Sequence, residues 1–158
     1  VPRNYISPVE QGIREALGEG YPTGFPFVNV SAVLHDGKHH DVDSSEAAFK
    51  TVARKSVREA TEKAGVTILE PMMKIEVTVP DEFMRSVIGS LTARRAMIGD
   101  IAGETGSVRI VNGTVPLAEM FGYATTLRSA TQGRGSFTME FSHYDKVPDS
   151  VMERLGLR

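Results

Sequence analysis

The sequence predicts an α+β fold in two parts, residues 1–69 and residues 70–158. Two long segments with helical periodicity dominate the first part, which has only one segment with the alternation of a strand. The second part orders its patterns as β-α-β-β-α-β, the split βαβ arrangement. A single strand cannot close a sheet, so the first part is expected to be an incomplete α/β unit.

The first helix is predicted from Ser7 to Glu19. Ser7 can cap its start, and Pro8 suits the first helical position because its missing N–H would have no partner there. Gly18 and Gly20 are expected to end the helix, since glycine favours the backbone conformation of a helix C-terminus.

A strand, a polar tip and a second helix complete the first part. Apolar and polar residues alternate from Phe27 to Leu34, which predicts the strand. Asp36-Gly37 indicates a turn within the tip that follows. Ser44 or Ser45 can begin a long helix with an apolar stripe, which Gly65 is expected to stop.

The second part begins with the clearest strand of the chain. Ile75, Val77 and Val79 alternate with polar residues, as a half-buried strand requires. The remaining predicted elements are a helix after Pro80, strands near 98–103 and 107–115, a helix opening at Pro116 and a last strand near 137–141.

Composition limits the class of protein. The 158 residues contain 41% hydrophobic and 24% charged residues, typical of a globular chain of one or two domains. No apolar run approaches the ~18 residues of a membrane span, and no export leader is recognisable. The absence of cysteine excludes disulfides and thiolate metal sites. With a net charge of -2, RNA contacts are expected only from local basic patches.

No segment carries the sequence pattern of a catalytic or nucleotide-binding site. Gly37-Lys38 lacks the earlier glycine of a P-loop and is followed by His39, so it cannot cradle phosphates. Neither G-x-S-x-G nor H-E-x-x-H occurs. We therefore expect no catalytic residue, and no GTP binding by this chain alone. Because the chain opens on Val1 and soon enters a helical pattern, we expect a piece of a longer protein.

The tip between His35 and Asp43 is rich in histidine and aspartate, and three interpretations stay open. One is a metal site, although neighbouring side chains in a tight turn need not converge on an ion. Another is a solvated polar turn. The third is contact with nucleic acid, in which Gly37 permits close backbone approach and Lys38 supplies charge.

Basic and aromatic residues offer further candidates. The ridge of Lys50, Arg54 and Arg58 is interpreted as a solvated helix face, and the same caution applies to Arg94-Arg95. Arg128 and Arg134 flank a polar, glycine-containing loop that could follow a phosphate backbone. Four aromatics could stack on bases, but we assign three of them to the core. Those assigned to the core are Phe121, Phe137 and Phe141, whereas Tyr123 is left unassigned.

Several long segments together resemble elongation factor G. The strongest is Val115-Pro116-Leu117-Ala118-Glu119-Met120-Phe121-Gly122-Tyr123-Ala124-Thr125, continuing through Thr131-Gln132-Gly133-Arg134-Gly135 to Phe137-Thr138-Met139-Glu140-Phe141. Leu69-Glu70-Pro71-Met72-Met73 and His40-Asp41-Val42-Asp43-Ser44-Ser45-Glu46 also match. The resemblance covers essentially the whole chain.

The resemblance implies that residues 1–69 are the later portion of domain IV, which has a ribosomal protein S5 domain 2-like fold. Residues 70–158 would be domain V, with a ferredoxin-like fold. GTP and Mg²⁺ would bind in an N-terminal domain of the parent protein, and no cofactor or metal is expected here. The parent is expected to be a monomeric, cytoplasmic translational GTPase without a membrane partner.

The resemblance also implies partners and contact residues. The tip would enter the decoding region of the small ribosomal subunit and hold the tRNA–mRNA pair, and the family's tip histidine maps onto His40. Tip candidates are Gly37, Lys38, His39, His40 and Asp41. Domain V would lie near the GTPase-associated and sarcin–ricin regions of large-subunit RNA, with candidates Arg94, Arg95, Arg128, Gln132 and Arg134. Alternatives are a ribosome-recycling or ribosome-protection paralogue, a stand-alone RNA-binding protein, or a metal-dependent enzyme using the tip histidines.

Overall fold

The computed structural model describes residues 1–157 and divides into two compact units. The first unit comprises Val1–Ile68 with the last residues from Glu153, and the second comprises Leu69–Met152. Helices together with a four-stranded antiparallel sheet confirm the predicted α+β class. No helix within the described residues is both long enough and apolar enough to cross a membrane.

The first unit contains two long helices, α1 (Arg3–Glu19) and α2 (Glu46–Ala64). The predicted start of α1 is wrong, because the helix begins directly after Pro2 and Pro8 lies inside it. The fixed φ of Pro2, -58°, prepares the first turn. Pro8 cannot donate a backbone hydrogen bond within the helix, but its side chain is buried, which favours its presence there.

Glycines set the end of α1 and its contact with α2. Gly20 ends α1 in the left-handed conformation at φ 67°, whereas Gly18 continues the helix, contrary to expectation. Gly12 lies where the helices meet. A Cβ at this position would be 2.4 Å from the carbonyl oxygen of Lys50 and 3.0 Å from the Cβ of Ala53. Only glycine therefore permits this close approach.

The predicted strand from Phe27 to Leu34 is absent from the structure. A strand needs a hydrogen-bonded neighbour, and the described part of the first unit offers none. The segment borders an open apolar groove with α1 and α2, and its side chains stay exposed, Val33 to 70%. The expected turn at Asp36-Gly37 is also wrong, because the turn forms later, over 41–43.

The second unit folds as predicted, in the order β-α-β-β-α-β. Its elements are β1 (Leu69–Pro80), α3 (Asp81–Ala93), β2 (Met97–Ala102), β3 (Val108–Pro116), α4 (Tyr123–Ala130) and β4 (Ser136–Lys146). The strands lie in the order β2-β3-β1-β4, and every neighbouring pair is antiparallel. This is the ferredoxin-like arrangement. A last short helix, α5 (Asp149–Arg154), was not predicted.

One face of this sheet packs against α3 and α4. The alternation predicted for β1 is confirmed, because Ile75, Val77 and Val79 are completely buried. They form one cluster with residues of the facing helices and of β3: Val87, Leu91, Val111, Val115, Met120, Tyr123 and Leu127.

The helix predicted to open at Pro116 is divided in two. A 3₁₀ turn over Leu117–Glu119 is separated from α4 by Gly122, whose φ of 76° no helix accommodates. The break rotates the buried face, so that Phe121 is 81% exposed instead of lying in the core. The core assignment of Phe141 is also wrong, since it is 55% exposed, whereas Phe137 packs against the core as expected.

Candidate nucleic-acid interface

The tip of the first unit rests on a stacked pair of aromatic rings. Tyr5 of α1 and Phe49 of α2 stack with centroids 4.3 Å apart and planes 10° from parallel. On one side of the tip, an added Cβ on Gly37 would lie 2.8 Å from Val1 Cγ2 and 4.0 Å from Phe49 Cε1. On the other side, the Tyr5 hydroxyl donates to the carbonyl oxygen of Ser44 at 3.5 Å. The two rings therefore lie beside both ends of the tip.

Two reciprocal hydrogen bonds close the end of the tip into a small loop. The His40 N–H donates to Ser44 Oγ at 2.8 Å, and the Ser44 N–H donates to the His40 carbonyl oxygen at 3.1 Å. Ser45, and not Ser44, caps α2 by accepting from the Ala48 N–H at 3.1 Å. Sequence reasoning left the two serines interchangeable and missed the role of Ser44. Only their position after the aspartate-rich turn could have suggested it.

The side chains at the end of the tip face solvent. Lys38, His39, His40 and Asp41 are all exposed, and Val42 is 91% exposed. His39 Nε2 lies 3.9 Å from Asp41 Oδ1. Among the described residues no three His, Asp or Glu side chains converge as metal ligands. The tip thus offers exposed donors and acceptors on a fixed backbone.

The basic ridge of α2 is occupied by carboxylates of α1. Lys50 Nζ lies 2.7 Å from Glu15 Oε1, and Arg54 pairs with Glu19. Glu19 also binds Arg58, at 3.3 Å. These side chains are partly exposed, and the ridge is an ion-pair network that joins two helices. The interpretation as a solvated face of α2 alone missed the carboxylates of α1.

Arg94 in the second unit donates hydrogen bonds to the segment of chain that precedes α4. Its guanidinium donates to the carbonyl oxygen of Glu119 and, at 3.3 Å, to that of Phe121. Nη2 also donates to Thr126 Oγ1 at 3.1 Å. The Cζ atom lies 5.2 Å from the ring centroid of Tyr123. Arg94 therefore positions a loop from within the protein.

Arg95 is bound by two carboxylates that sequence reasoning missed. It adopts a left-handed backbone, φ 62°, and donates to both carboxylate oxygens of Glu70 at 2.7 and 2.8 Å. Its Nε donates to Glu119 at 2.9 Å. The hydrogen bonds to Glu70, and secondarily those to Glu119, raise the pKa of Arg95 above its usual range. No spacing in the sequence connects these three residues.

The loop between α4 and β4 has a defined shape. Buried Thr131 accepts at Oγ1 from the Gly135 N–H, at 2.9 Å. Gln132 and Gly133 are both left-handed, with φ of 52° and 77°, and the Arg134 N–H donates to the Thr131 carbonyl oxygen at 3.0 Å. This backbone is that of a type I′ turn, which presents the Gln132 side chain to solvent.

The two arginines beside this loop differ in their surroundings. Arg128 is exposed, and its guanidinium has no hydrogen-bond or ion-pair partner within residues 1–157. Arg134 lies 2.6 Å from Glu82 Oε1 and stacks over the ring of Phe83, 5.5 Å from its centroid. No aspartate or glutamate occurs between Glu119 and Glu140 in the sequence. The outer side of α4 and the turn that follows are therefore basic within an acidic chain.

The open face of the sheet is not an aromatic platform. Lys74 and Glu76 of β1 pair with Glu140 and Thr138 of β4, and all four side chains are exposed. RNA-binding split βαβ domains stack bases on aromatics of this face. The polar, partly acidic face here does not fit that mode, whereas α4 and its turn form a basic surface on the unit.

These features define a class of protein: a two-part module in which a helical part with an exposed polar tip is followed by a ferredoxin-like domain. Residues 1–65 match the family "Elongation factor G, domain IV", and residues 67–155 match "Elongation factor G C-terminus". A crystal structure of a protein from Thermus thermophilus is similar over 98% of this chain, with a TM-score of 0.88 and 36% sequence identity.

The chain therefore belongs to the elongation factor G family and corresponds to its C-terminal part. It spans 23% of the length of the Thermus thermophilus protein. The two matched domains carry no GTPase site, in agreement with the lack of a P-loop in the sequence.

Proposed function

We propose that this chain is the ribosome-contacting C-terminal part of an elongation factor G that promotes GTP-dependent translocation of tRNA and mRNA. GTP and Mg²⁺ would bind elsewhere in the intact factor, which would act in the cytoplasm. Residues 1–69 are assigned to the later portion of domain IV and residues 70–158 to domain V. The separation of the two compact units at Ile68 and Leu69 supports this boundary.

The tip loop is the observation that carries the proposal. His40 lies in the part matched to domain IV and is exposed, while its backbone is held by Ser44. An exposed imidazole on a fixed backbone suits hydrogen bonding to a codon–anticodon helix, because little conformational entropy is lost on contact. Lys38 is exposed and adds a positive charge for phosphates, whereas the side of Gly37 where a Cβ would lie faces Val1.

Ribosomal RNA of the large subunit is the proposed partner of α4 and the turn after it. Arg128 is unpaired within the described chain, and Gln132 is exposed on a defined turn. Arg134 would exchange its contacts with the exposed Glu82 carboxylate and the Phe83 ring for contacts with RNA. Arg94 and Arg95 would reach RNA only by giving up their internal hydrogen bonds. We therefore assign these two a smaller part of the contact.

Substitution of the tip histidine in the intact factor tests the proposal. His40→Ala is expected to slow single-round translocation by about tenfold or more, while ribosome-stimulated GTP hydrolysis stays near the wild-type rate. This slower rate corresponds to a loss of transition-state stabilisation of about one hydrogen bond to a charged group. His143→Ala, the same change at an exposed histidine of β4 outside the tip, is the matched control. Unchanged translocation by His40→Ala would refute the proposed role of the tip.

A ribosome-recycling or ribosome-protection paralogue is the alternative within the family. The segment His40-Asp41-Val42-Asp43-Ser44-Ser45 resembles the translocating form of the tip, which favours translocation. A subunit-splitting assay with the intact factor separates the two functions. Splitting activity without translocation would replace the proposal by the recycling function.

A further inference from the structure

We infer that Phe121 is a stacking platform for an exposed base of ribosomal RNA, at the N-terminal end of the basic side of α4. The inference rests on the proposed function, because it takes ribosome contact by the second unit as given. It adds Phe121 to the proposed contact residues, and it adds recognition of a base by stacking to the contacts with phosphates.

The exposure of Phe121 is unusual for its surroundings. Its side chain is 81% exposed, although Met120 and Tyr123 on either side are 7% and 1% exposed. The chain therefore makes a turn that buries both neighbours and turns the intervening phenyl ring outward. An isolated exposed apolar residue is common on surfaces, so exposure alone does not identify a site.

The second observation is that this loop is rigid. Arg94 donates to the carbonyl oxygens of Glu119 and Phe121, and the Tyr123 N–H donates to the Met120 carbonyl oxygen at 3.1 Å. The guanidinium of Arg94 thus forms hydrogen bonds to the loop that carries the Phe121 ring, instead of being hydrated. Because the ring is presented on a fixed backbone, its contact with a flat ligand loses little entropy.

The charge of the neighbouring surface favours nucleic acid over protein. Phe121 lies directly before α4, whose outward positions are small or basic, and no acidic residue follows Phe121 until Glu140. The outward positions of α4 are Ala124, Thr125, Arg128 and Ser129. Small side chains permit close approach, the guanidinium of Arg128 suits a phosphate, and an aromatic face suits a base. A protein pocket for the ring is the competing partner.

Binding of the intact factor to purified ribosomes gives the first test. Phe121→Ala and Phe121→Leu are expected to weaken binding by roughly tenfold, as loss of one stacked base predicts, whereas Phe121→Tyr is expected to bind like wild type. Leucine is the decisive variant, because it fills an apolar protein pocket but offers no aromatic face. All three variants should unfold at the wild-type urea concentration, since the ring is exposed.

Photo-crosslinking identifies the partner directly. A benzoylphenylalanine placed at position 121 is expected to crosslink to ribosomal RNA. A crosslink only to ribosomal protein, or wild-type binding by Phe121→Leu, would overturn the inference. If Arg128→Ala weakens binding while both Phe121 variants bind normally, stacking is refuted and the proposed function stands. If the unaltered factor does not bind ribosomes, the proposed function itself fails.

Discussion

The hydroxyl of Tyr123 is an unsatisfied polar group in the core of the second unit. The residue is 1% exposed, and its oxygen has no hydrogen-bond partner among the described residues. Its ring meets that of Phe137 edge-on, with centroids 5.0 Å apart. Burial raises the pKa of Tyr123 to about 12, and the positive charge of Arg94 opposes this shift only in part.

Removal of this hydroxyl is expected to stabilise the protein. Tyr123→Phe keeps the ring contacts and relieves a buried unpaired group, so the free energy of unfolding at pH 7 should rise by about 1 kcal/mol. Urea denaturation followed by circular dichroism measures the change. Tyr144→Phe, at a tyrosine that is 44% exposed, is the matched control and should have no effect. Destabilisation by Tyr123→Phe would show that the hydroxyl has a partner.

The raised pKa of Tyr123 also predicts a dependence on pH. The folded state holds the phenolic proton more tightly than the unfolded state, whose pKa is about 10. Its contribution is fully present below pH 10 and is lost as pH rises towards 12. The difference in unfolding free energy between Tyr123→Phe and wild type should therefore grow over this range. A constant difference would contradict burial of an ionisable hydroxyl.

The burial of individual side chains was predicted correctly only within helices and strands that were themselves predicted correctly. The alternation of Ile75, Val77 and Val79 placed all three in the core. Phe121 was misplaced because the left-handed backbone of Gly122 divides a helix that periodicity alone continues. The carboxylates around Arg95 lie on chain segments that meet only after folding, which no local pattern encodes. The Oγ contact of Ser44 is local, but it depends on the backbone geometry of the turn, which residue types alone do not specify.

At the scale of the element, the contact between α1 and α2 depends on the absence of a side chain at Gly12. Its backbone lies against Lys50 and Ala53, closer than any Cβ would permit. Packed interiors relax only partly when atoms are inserted. Helix propensity favours alanine at this position, so packing and propensity oppose one another here.

Gly12→Ala and Gly18→Ala measure these two effects separately within one helix. Gly12→Ala is expected to lower the free energy of unfolding by about 1–3 kcal/mol, because overpacking exceeds the gain in propensity. Gly18→Ala meets no atom within 4 Å and should raise it by up to about 1 kcal/mol. Urea denaturation of both variants gives the comparison. Stabilisation by Gly12→Ala would show that the helices separate at little cost.

The elements predicted correctly are those that have both a clear local pattern and a pairing or packing partner within the described chain. The split βαβ order of the second unit follows from alternation, helical periodicity and turn residues, all of which are local signals. The segment Phe27–Leu34 has the pattern of a strand but no neighbour to pair with in the described chain. Pattern therefore specifies a preference for extended backbone, whereas pairing decides whether a strand forms.

At the scale of the whole molecule, the distribution of charge matters more than its total. The net charge is -2, and three of the cations of α2, Lys50, Arg54 and Arg58, are paired with carboxylates of α1. The surface of α4 combines Arg128, unpaired within the described residues, with a stretch that lacks carboxylates. We therefore expect ribosome binding by this part to involve few phosphate contacts and to be weak on arbitrary polyanions.

The salt dependence of ribosome binding tests this distribution. In the intact factor, Arg128→Ala should reduce the slope of log affinity against log salt by about 1, as loss of one phosphate contact requires. Lys63→Ala, at the exposed end of α2, removes the same charge and should leave the slope unchanged. Equal slopes for wild type and Arg128→Ala would exclude Arg128 as a phosphate contact.

The closed loop between His40 and Ser44 has a consequence for how the tip could change during evolution. Its shape is maintained by backbone groups and one serine hydroxyl, while Val42 and Asp43 are exposed to solvent and take no part in the closure. The residue types at positions 42 and 43 can therefore change without a change in the backbone shape of the loop. Substitutions at these two positions could alter what the tip touches without any refolding, so contact specificity could diversify on an unchanged frame.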